Sequence, residues 1–206
     1  SFQRMPNYAT NTVFIVDEAS MITDDSDFGQ NSLLTDLIEY VFTNPERCVA
    51  GTIGAPGERA FFVQARDKNR IVSVALEKAQ VQAIANRLEL IVAEVKKSNP
   101  LISIESFPQD DAPLETPVDE EFQVGAISLA WNELDQLLSF ELYELEDDEH
   151  DEEGQVLEIN FSLGMAISFA QRSKALVNAG RLPCPFCGIP IDPRGHLCPR
   201  ANGYRR

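Results

Sequence analysis

The stretch RIVSVALEKAQVQAIANRLELIV, residues 70–92, decides how this chain folds. Its first seven residues place Val72, Val74 and Leu76 on one side with a period of two, which is typical of a β-strand with one buried face. From Val81 onward the apolar residues recur at helical spacing instead. The change of period predicts a strand that is followed at once by an amphipathic helix.

The same order of elements is predicted twice along the chain. Three strands and a helix are expected in each half, at 47–53, 59–64, 70–76 and 77–95, and at 122–130, 136–145, 155–161 and 162–179. Residues 72–92 laid over residues 157–177 place apolar residues at matching positions, although any strand followed by a helix would produce much of this match. Two three-stranded layers with one helix each predict an α+β fold of two β-β-β-α units, with an internal duplication as one interpretation.

Composition divides the chain into five segments. The predicted units are an N-terminal segment, a first β-β-β-α unit, a linker with four prolines, a second β-β-β-α unit and a Pro/Gly-rich basic tail, at 1–42, 43–97, 98–121, 122–180 and 181–206. Within the first segment, a strand over 12–16 and a helix over 33–42 are expected.

Four potential metal ligands lie within fifteen positions: Cys184, Cys187, His196 and Cys198. A Cys-x-x-Cys pair brings two thiolates around a tight turn to one ion, and two residues spaced like His196 and Cys198 point the same way in an extended segment. Three thiolates and one imidazole form the closed tetrahedral set of structural zinc sites. We therefore predict a zinc knuckle in residues 181–206, which are too few to bury a core of their own.

A redox Cys-x-x-Cys pair is the alternative interpretation of Cys184 and Cys187. Such a pair usually opens a helix after a strand, whereas prolines and glycines surround this one. The remaining cysteine, Cys48, is predicted to be a small core residue of a strand. Clustered cysteines also argue against a disulfide-stapled secreted domain.

The charge balance excludes some classes of protein. The 206 residues contain 17 basic and 33 acidic side chains, a net charge of −16, which argues against a general nucleic-acid binder. The longest uncharged apolar stretch, near 161–170, is too short to span a membrane, and no basic-then-apolar leader opens the sequence. These features predict a cytoplasmic protein. The acidic run at 146–153 is expected to be a solvated loop.

Residues 1–42 resemble the ATPase core of RecD-type helicases of superfamily 1. The resemblance rests on Asn11-Thr12, the apolar run that follows and Asp17-Glu-Ala-Ser20, which looks like a Walker B element. ATP hydrolysis would also need a phosphate-binding G-x-x-x-x-G-K-[ST] loop, which this sequence lacks. We interpret these residues as a helicase-like segment foreign to the rest, which indicates either a chimera or a mis-joined reading frame with its junction near 40–44.

Residues 41–206 resemble the uncharacterised DUF3090 family. The resemblance rests on Pro45-Glu-Arg47, Val49-Ala-Gly-Thr52, Gln64-Ala-Arg-Asp67, Cys184-Pro-Phe-Cys-Gly188 and the closing stretch 195–206. It implies no established activity and supplies no residue roles, although the genomic neighbours typical of the family suggest a phosphate-related pathway.

The sequence favours a zinc-binding interaction or adaptor module with a protein partner and no readable catalytic set. The alternative is an enzyme, or an accessory subunit of one, that acts on a phosphorylated substrate at a basic surface near Arg194 and Arg200. A third interpretation, an ATPase fragment, needs residues that the sequence lacks.

Overall fold

The computed structural model describes residues 38–55, 57–146, 154–179, 184–187, 191 and 198–200. The elements along this part of the chain are β1 (Ile38–Thr43), β2 (Arg47–Ile53), β3 (Ala60–Asp67), β4 (Arg70–Leu76), α1 (Lys78–Ser98), β5 (Glu120–Asn132), β6 (Leu137–Glu144), β7 (Gln155–Phe161) and α2 (Leu163–Asn178). The α+β class and the repeated order of three strands and a helix are confirmed. The predicted strand over 12–16 lies outside the described residues.

The seven strands form one sheet, in the order β1-β7-β6-β5-β4-β3-β2, instead of the two layers that the sequence predicted. The two halves join where the start of β5 pairs in parallel with β4, with Ser73 opposite Glu120 and Ala75 opposite Gln123. The rest of β5 pairs antiparallel with β6. Because β5 is thirteen residues long, it can bond to one neighbour at its start and to another along the rest of its length. In two separate layers, β4 and β5 would not pair with each other.

The prediction of a helix over 33–42 is wrong for residues 38–42, which belong to strand β1. Ile38–Thr43 pairs in parallel with β7, and the part of the predicted helix before Ile38 lies outside the described residues. The physical reason is a period of two: Tyr40 and Phe42 face the core side while Glu39 and Val41 face the other. β-Branched and aromatic residues in this order fit a pleated strand better than a helix.

The sheet is strongly curled. Strands β1 and β2 lie at opposite ends of the strand order, about 29 Å apart in a flat sheet of this size. Only residues 44–46 connect them, and a fully extended link of that length spans about 14 Å. The two ends of the order therefore approach each other, and the Arg70 guanidinium of β4 lies 4.6 Å from the Phe42 ring centroid of β1.

Both helices bury their apolar faces in one core with the strands. Helix α1 contributes Val81, Ile84 and Leu88, and α2 contributes Phe169, whose ring lies 5.7 Å from that of Phe140 in an edge-to-face arrangement. Apolar residues of β1 and of both predicted units belong to this same cluster. The two β-β-β-α units therefore share one hydrophobic core.

Residues 99–119, here called the strap, connect α1 to β5 by passing around the β2 edge of the sheet. On the helix side, the Ser168 hydroxyl of α2 donates to the carbonyl oxygen of Pro108 at 3.1 Å. A Cβ atom on Gly164 would lie 2.1 Å from the carbonyl oxygen of Glu105, so this close approach requires glycine. On the opposite face, Leu114 packs against Val49 and Phe62. The strap thus covers both sides of this edge.

Two arginines fasten the strap to the β2 edge through Asp110. Arg47 of β2 contacts the Asp110 carboxylate at 2.5 Å and donates to the carbonyl oxygens of Ala112 and Pro113. Arg172 of α2 donates to the carbonyl oxygens of Ala50 and Asp110. The hydrogen bond from Arg47 is the main cause that holds the pKa of Asp110 below its usual value.

Asp110→Asn is expected to destabilise the fold in a pH-dependent way. A carboxyl group whose folded pKa is depressed stabilises the fold above its unfolded pKa of about 3.9, and this contribution disappears as the pH falls through the folded pKa. We expect the free energy of unfolding to fall by about 1–3 kcal/mol at neutral pH. Urea denaturation should show this gap close below about pH 4. Asp111→Asn is the matched control, since Asp111 is exposed. An equal loss of stability in both variants would show that the Asp110 carboxylate does not fasten the strap.

Candidate metal centre

Three cysteine thiols from two ends of the tail come together in the structure. The Sγ atoms of Cys184, Cys187 and Cys198 all lie within 4.8 Å of one another, and those of Cys184 and Cys198 are 3.6 Å apart. Tetrahedral zinc with bonds of about 2.3 Å to sulfur separates its thiolates by about 3.8 Å. The spacing of these sulfur atoms therefore fits one zinc ion.

The electrostatics of Cys184 also suit a metal ligand. Hydrogen bonds to its sulfur from the backbone N–H groups of Phe186 and Cys187 are the main causes that lower the pKa of Cys184 to about 6. Cys184 is therefore mostly thiolate at neutral pH, the form that binds zinc. Cys48 provides the contrast, because full burial raises the pKa of that thiol to about 12.

A turn over residues 185–187 creates this arrangement. Pro185 follows the first thiol, and the turn aims the next two N–H groups back at the Cys184 sulfur. Arg200 donates from Nη1 to the carbonyl oxygen of Phe186 at 3.2 Å, which ties the segment after Cys198 to this turn. The Phe186 side chain itself is 63% exposed. The turn thus holds the thiols on one side and presents an aromatic ring to solvent.

The predicted site residues are placed as follows. The structure brings Cys184, Cys187 and Cys198 together, whereas His196, the predicted fourth ligand, lies outside the described residues. Arg194 and the predicted Walker B pair Asp17-Glu18 also lie outside them. Cys48 is buried in β2 and is not part of the cluster, as the sequence indicated.

A cleft that the sequence did not predict lies on the helix side of the sheet. It has a volume of about 490 Å³ and runs between the second half of α1 and the end of β5. Its wall includes Trp131, the one tryptophan of the chain, and Arg87, which interrupts the apolar face of α1. Arg87 and Trp131 are the two sequence features that could have pointed to this cleft, but only the fold places them in the same cleft.

Neither described helix is both long and apolar enough to cross a membrane.

Comparison with known proteins supports one resemblance. A family model described as "Protein of unknown function (DUF3090)" matches residues 40–198, close to the predicted span of 41–206. No curated protein and no solved structure matches the chain. The matched region does not include residues 1–39, and the resemblance of residues 1–42 to a helicase stays a prediction.

Proposed function

We propose that this chain, which belongs to the DUF3090 family of proteins of unknown function, is an interaction module whose C-terminal knuckle is folded by a structural zinc ion. The ligands would be Cys184, Cys187, His196 and Cys198. The observation that carries the proposal is the approach of three thiols to within 4.8 Å of one another.

A structural role fits the donor set better than a catalytic one. Three thiolates and one imidazole would fill all four positions of a tetrahedral zinc ion, which leaves no position for water or substrate. When bound, the ion supplies cross-linking energy to a segment that is too short to fold on its own. The backbone N–H groups of Phe186 and Cys187 would stabilise the charge of the Cys184 thiolate.

Phe186 supports a contact with a partner protein. Its exposed ring sits between two proposed ligands, so the metal would hold it in a fixed place at little further entropic cost. Aromatic residues on rigid turns are frequent anchors of protein interfaces. The tail around it, 181–206, has five arginines and one acidic residue, which favours an acidic partner surface.

The proposal is tested by counting zinc and by removing the predicted fourth ligand. We expect about one zinc per chain by elemental mass spectrometry, since one four-ligand set binds one ion. His196→Ala should weaken zinc binding at least about tenfold in a competition titration against a chromophoric chelator. His150→Ala is the matched control, because His150 lies far from the cysteines in sequence. Equal zinc affinity in both variants would show that the His196 imidazole is not a zinc ligand.

The same preparation distinguishes the alternative of an enzyme that acts on a phosphorylated substrate. A site for phosphate near Arg200 would raise the thermal midpoint in the presence of millimolar inorganic phosphate, because a ligand that binds only the folded state stabilises it. We expect no such shift beyond that caused by sodium chloride of equal ionic strength.

A further inference from the structure

The cleft between α1 and β5 combines apolar residues with two carboxylates. Its volume of about 490 Å³ is large enough to take an aromatic side chain. The carboxylates belong to Glu94, which pairs with Arg87 at 3.7 Å, and to Glu133, and both acidic residues are exposed. The cleft therefore suits an apolar group that carries a positive charge beside it. Its apolar lining residues come from α1, the strap and β5: Ile91, Val95, Ile102, Leu129 and Trp131.

Two leucines are exposed beside this cleft. Leu101 and Leu134 are 94% and 88% exposed, and they adjoin the lining residues Ile102 and Glu133 in the chain. The Asn132 side chain holds the turn that carries Leu134, because it accepts from the backbone N–H of Leu134 at 2.9 Å. Large apolar side chains exposed next to a cleft are typical of a surface that contacts another protein.

The proposed knuckle carries the complementary groups. The Phe186 ring is 63% exposed, and the exposed Arg200 donates from Nη1 to the carbonyl oxygen of Phe186 at 3.2 Å. The knuckle thus holds an aromatic residue and a guanidinium close together. In the cleft, Trp131 and Glu133 are two positions apart and offer an indole and a carboxylate. Aromatic rings pack on each other and a guanidinium pairs with a carboxylate, so the two surfaces match in polarity and in charge.

We infer that this chain self-associates, with the knuckle of one copy docked in the cleft of a second copy. The Phe186 ring of the first copy would pack against Trp131 of the second, and Arg200 would meet Glu133. The occupant is a second copy because one chain carries both surfaces, and Phe186 is exposed within its own chain. The inference rests on the proposed function, since it names the acidic partner surface of the knuckle.

Sedimentation equilibrium of the zinc-loaded full chain tests the inference. We expect the average mass to rise with concentration, and the emission of Trp131, the one tryptophan, to shift to shorter wavelength as the incoming ring excludes water from the indole. Phe186→Ala should weaken the association at least about tenfold, the effect of losing an aromatic anchor. Leu134→Ala should weaken it at least about threefold, because apolar surface is lost from the contact. Leu90→Ala is the matched control, since Leu90 is 55% exposed on α1 and does not line the cleft.

Mixing two defective variants tests whether the knuckle and the cleft bind each other. Phe186→Ala keeps the cleft intact, and Glu133→Lys, which places a cation on the exposed turn after β5, keeps the knuckle intact. Each variant alone should sediment as a monomer at concentrations where the unchanged chain associates. An equimolar mixture should contain one-to-one pairs, because one intact knuckle then meets one intact cleft.

The zinc content of the same samples distinguishes failure of this inference from failure of the proposed function. A chain that holds about one zinc ion and stays monomeric up to about 1 mM would overturn the inference and leave the zinc knuckle in place. The inference would also be overturned if Phe186→Ala weakened the association no more than Leu90→Ala, or if the mixture contained no one-to-one pairs. A chain without zinc that still associates through Phe186 would support the inference and contradict the proposed metal. A chain that neither binds zinc nor associates would overturn both.

Discussion

Cys187→Ser is expected to reduce bound zinc from about one ion per chain to nearly none. Serine hydroxyl is a poor zinc ligand at neutral pH, so the variant keeps the shape of the turn but loses one of the three clustered thiols. Structural zinc contributes on the order of 10 kcal/mol to the folding of small modules, so the knuckle should unfold. The other described elements, Ile38–Asn178, contain none of the proposed ligands, and we expect their far-UV circular dichroism to persist.

Cys48→Ser is the matched control for that experiment. It makes the same chemical change in the one cysteine outside the cluster, a residue buried in β2. A buried hydroxyl in its place can lower stability, but elemental mass spectrometry should find the same zinc content as in the unchanged chain. Equal zinc contents in Cys187→Ser and Cys48→Ser would refute the proposed zinc site.

The elements of the fold were largely predictable because they depend on local periodicity. The alternation that ends at Leu76 and the helical spacing from Val81 are properties of adjacent residues, and the structure places β4 and α1 there. The join between β4 and β5 was not predictable in this way. It pairs Ser73 with Glu120 across an intervening helix and the strap, and no local pattern records which strand edge another strand will meet.

The candidate site likewise has local features that the sequence predicts and others that depend on the fold. The Cys-x-x-Cys spacing and the third cysteine predicted the thiol cluster, because ligand spacing is local. The exposure of Phe186 and the bond that Arg200 makes to its carbonyl oxygen depend on how the turn is oriented, which sequence does not reveal. The cleft depends on the approach of Arg87 and Trp131, which are 44 positions apart.

Phe42→Ala is expected to destabilise the whole domain by about 3–5 kcal/mol, the usual cost of removing a buried phenyl ring. The Phe42 side chain is 3% exposed and belongs to the main core cluster. The guanidinium of Arg70 also lies over the Phe42 ring, although β4 is four strands away from β1 in the strand order. The loss should appear in urea denaturation as a lower midpoint with an unchanged slope, since a pure change in stability alters only the midpoint.

Val41→Ala is the control for Phe42→Ala, because it changes the strand propensity of β1 without removing a buried ring. Val41 is the neighbour of Phe42 in β1, faces the other side of the sheet and is 40% exposed, so its truncation should cost about 1 kcal/mol or less. A large loss for Phe42 alone means that β1 unfolds together with the other strands of the sheet. The cooperative unit would then begin at or before Ile38, earlier than the boundary at residue 43 that composition predicted. Equal, small losses in both variants would instead support a junction after β1 and with it the interpretation of the N-terminal segment as foreign.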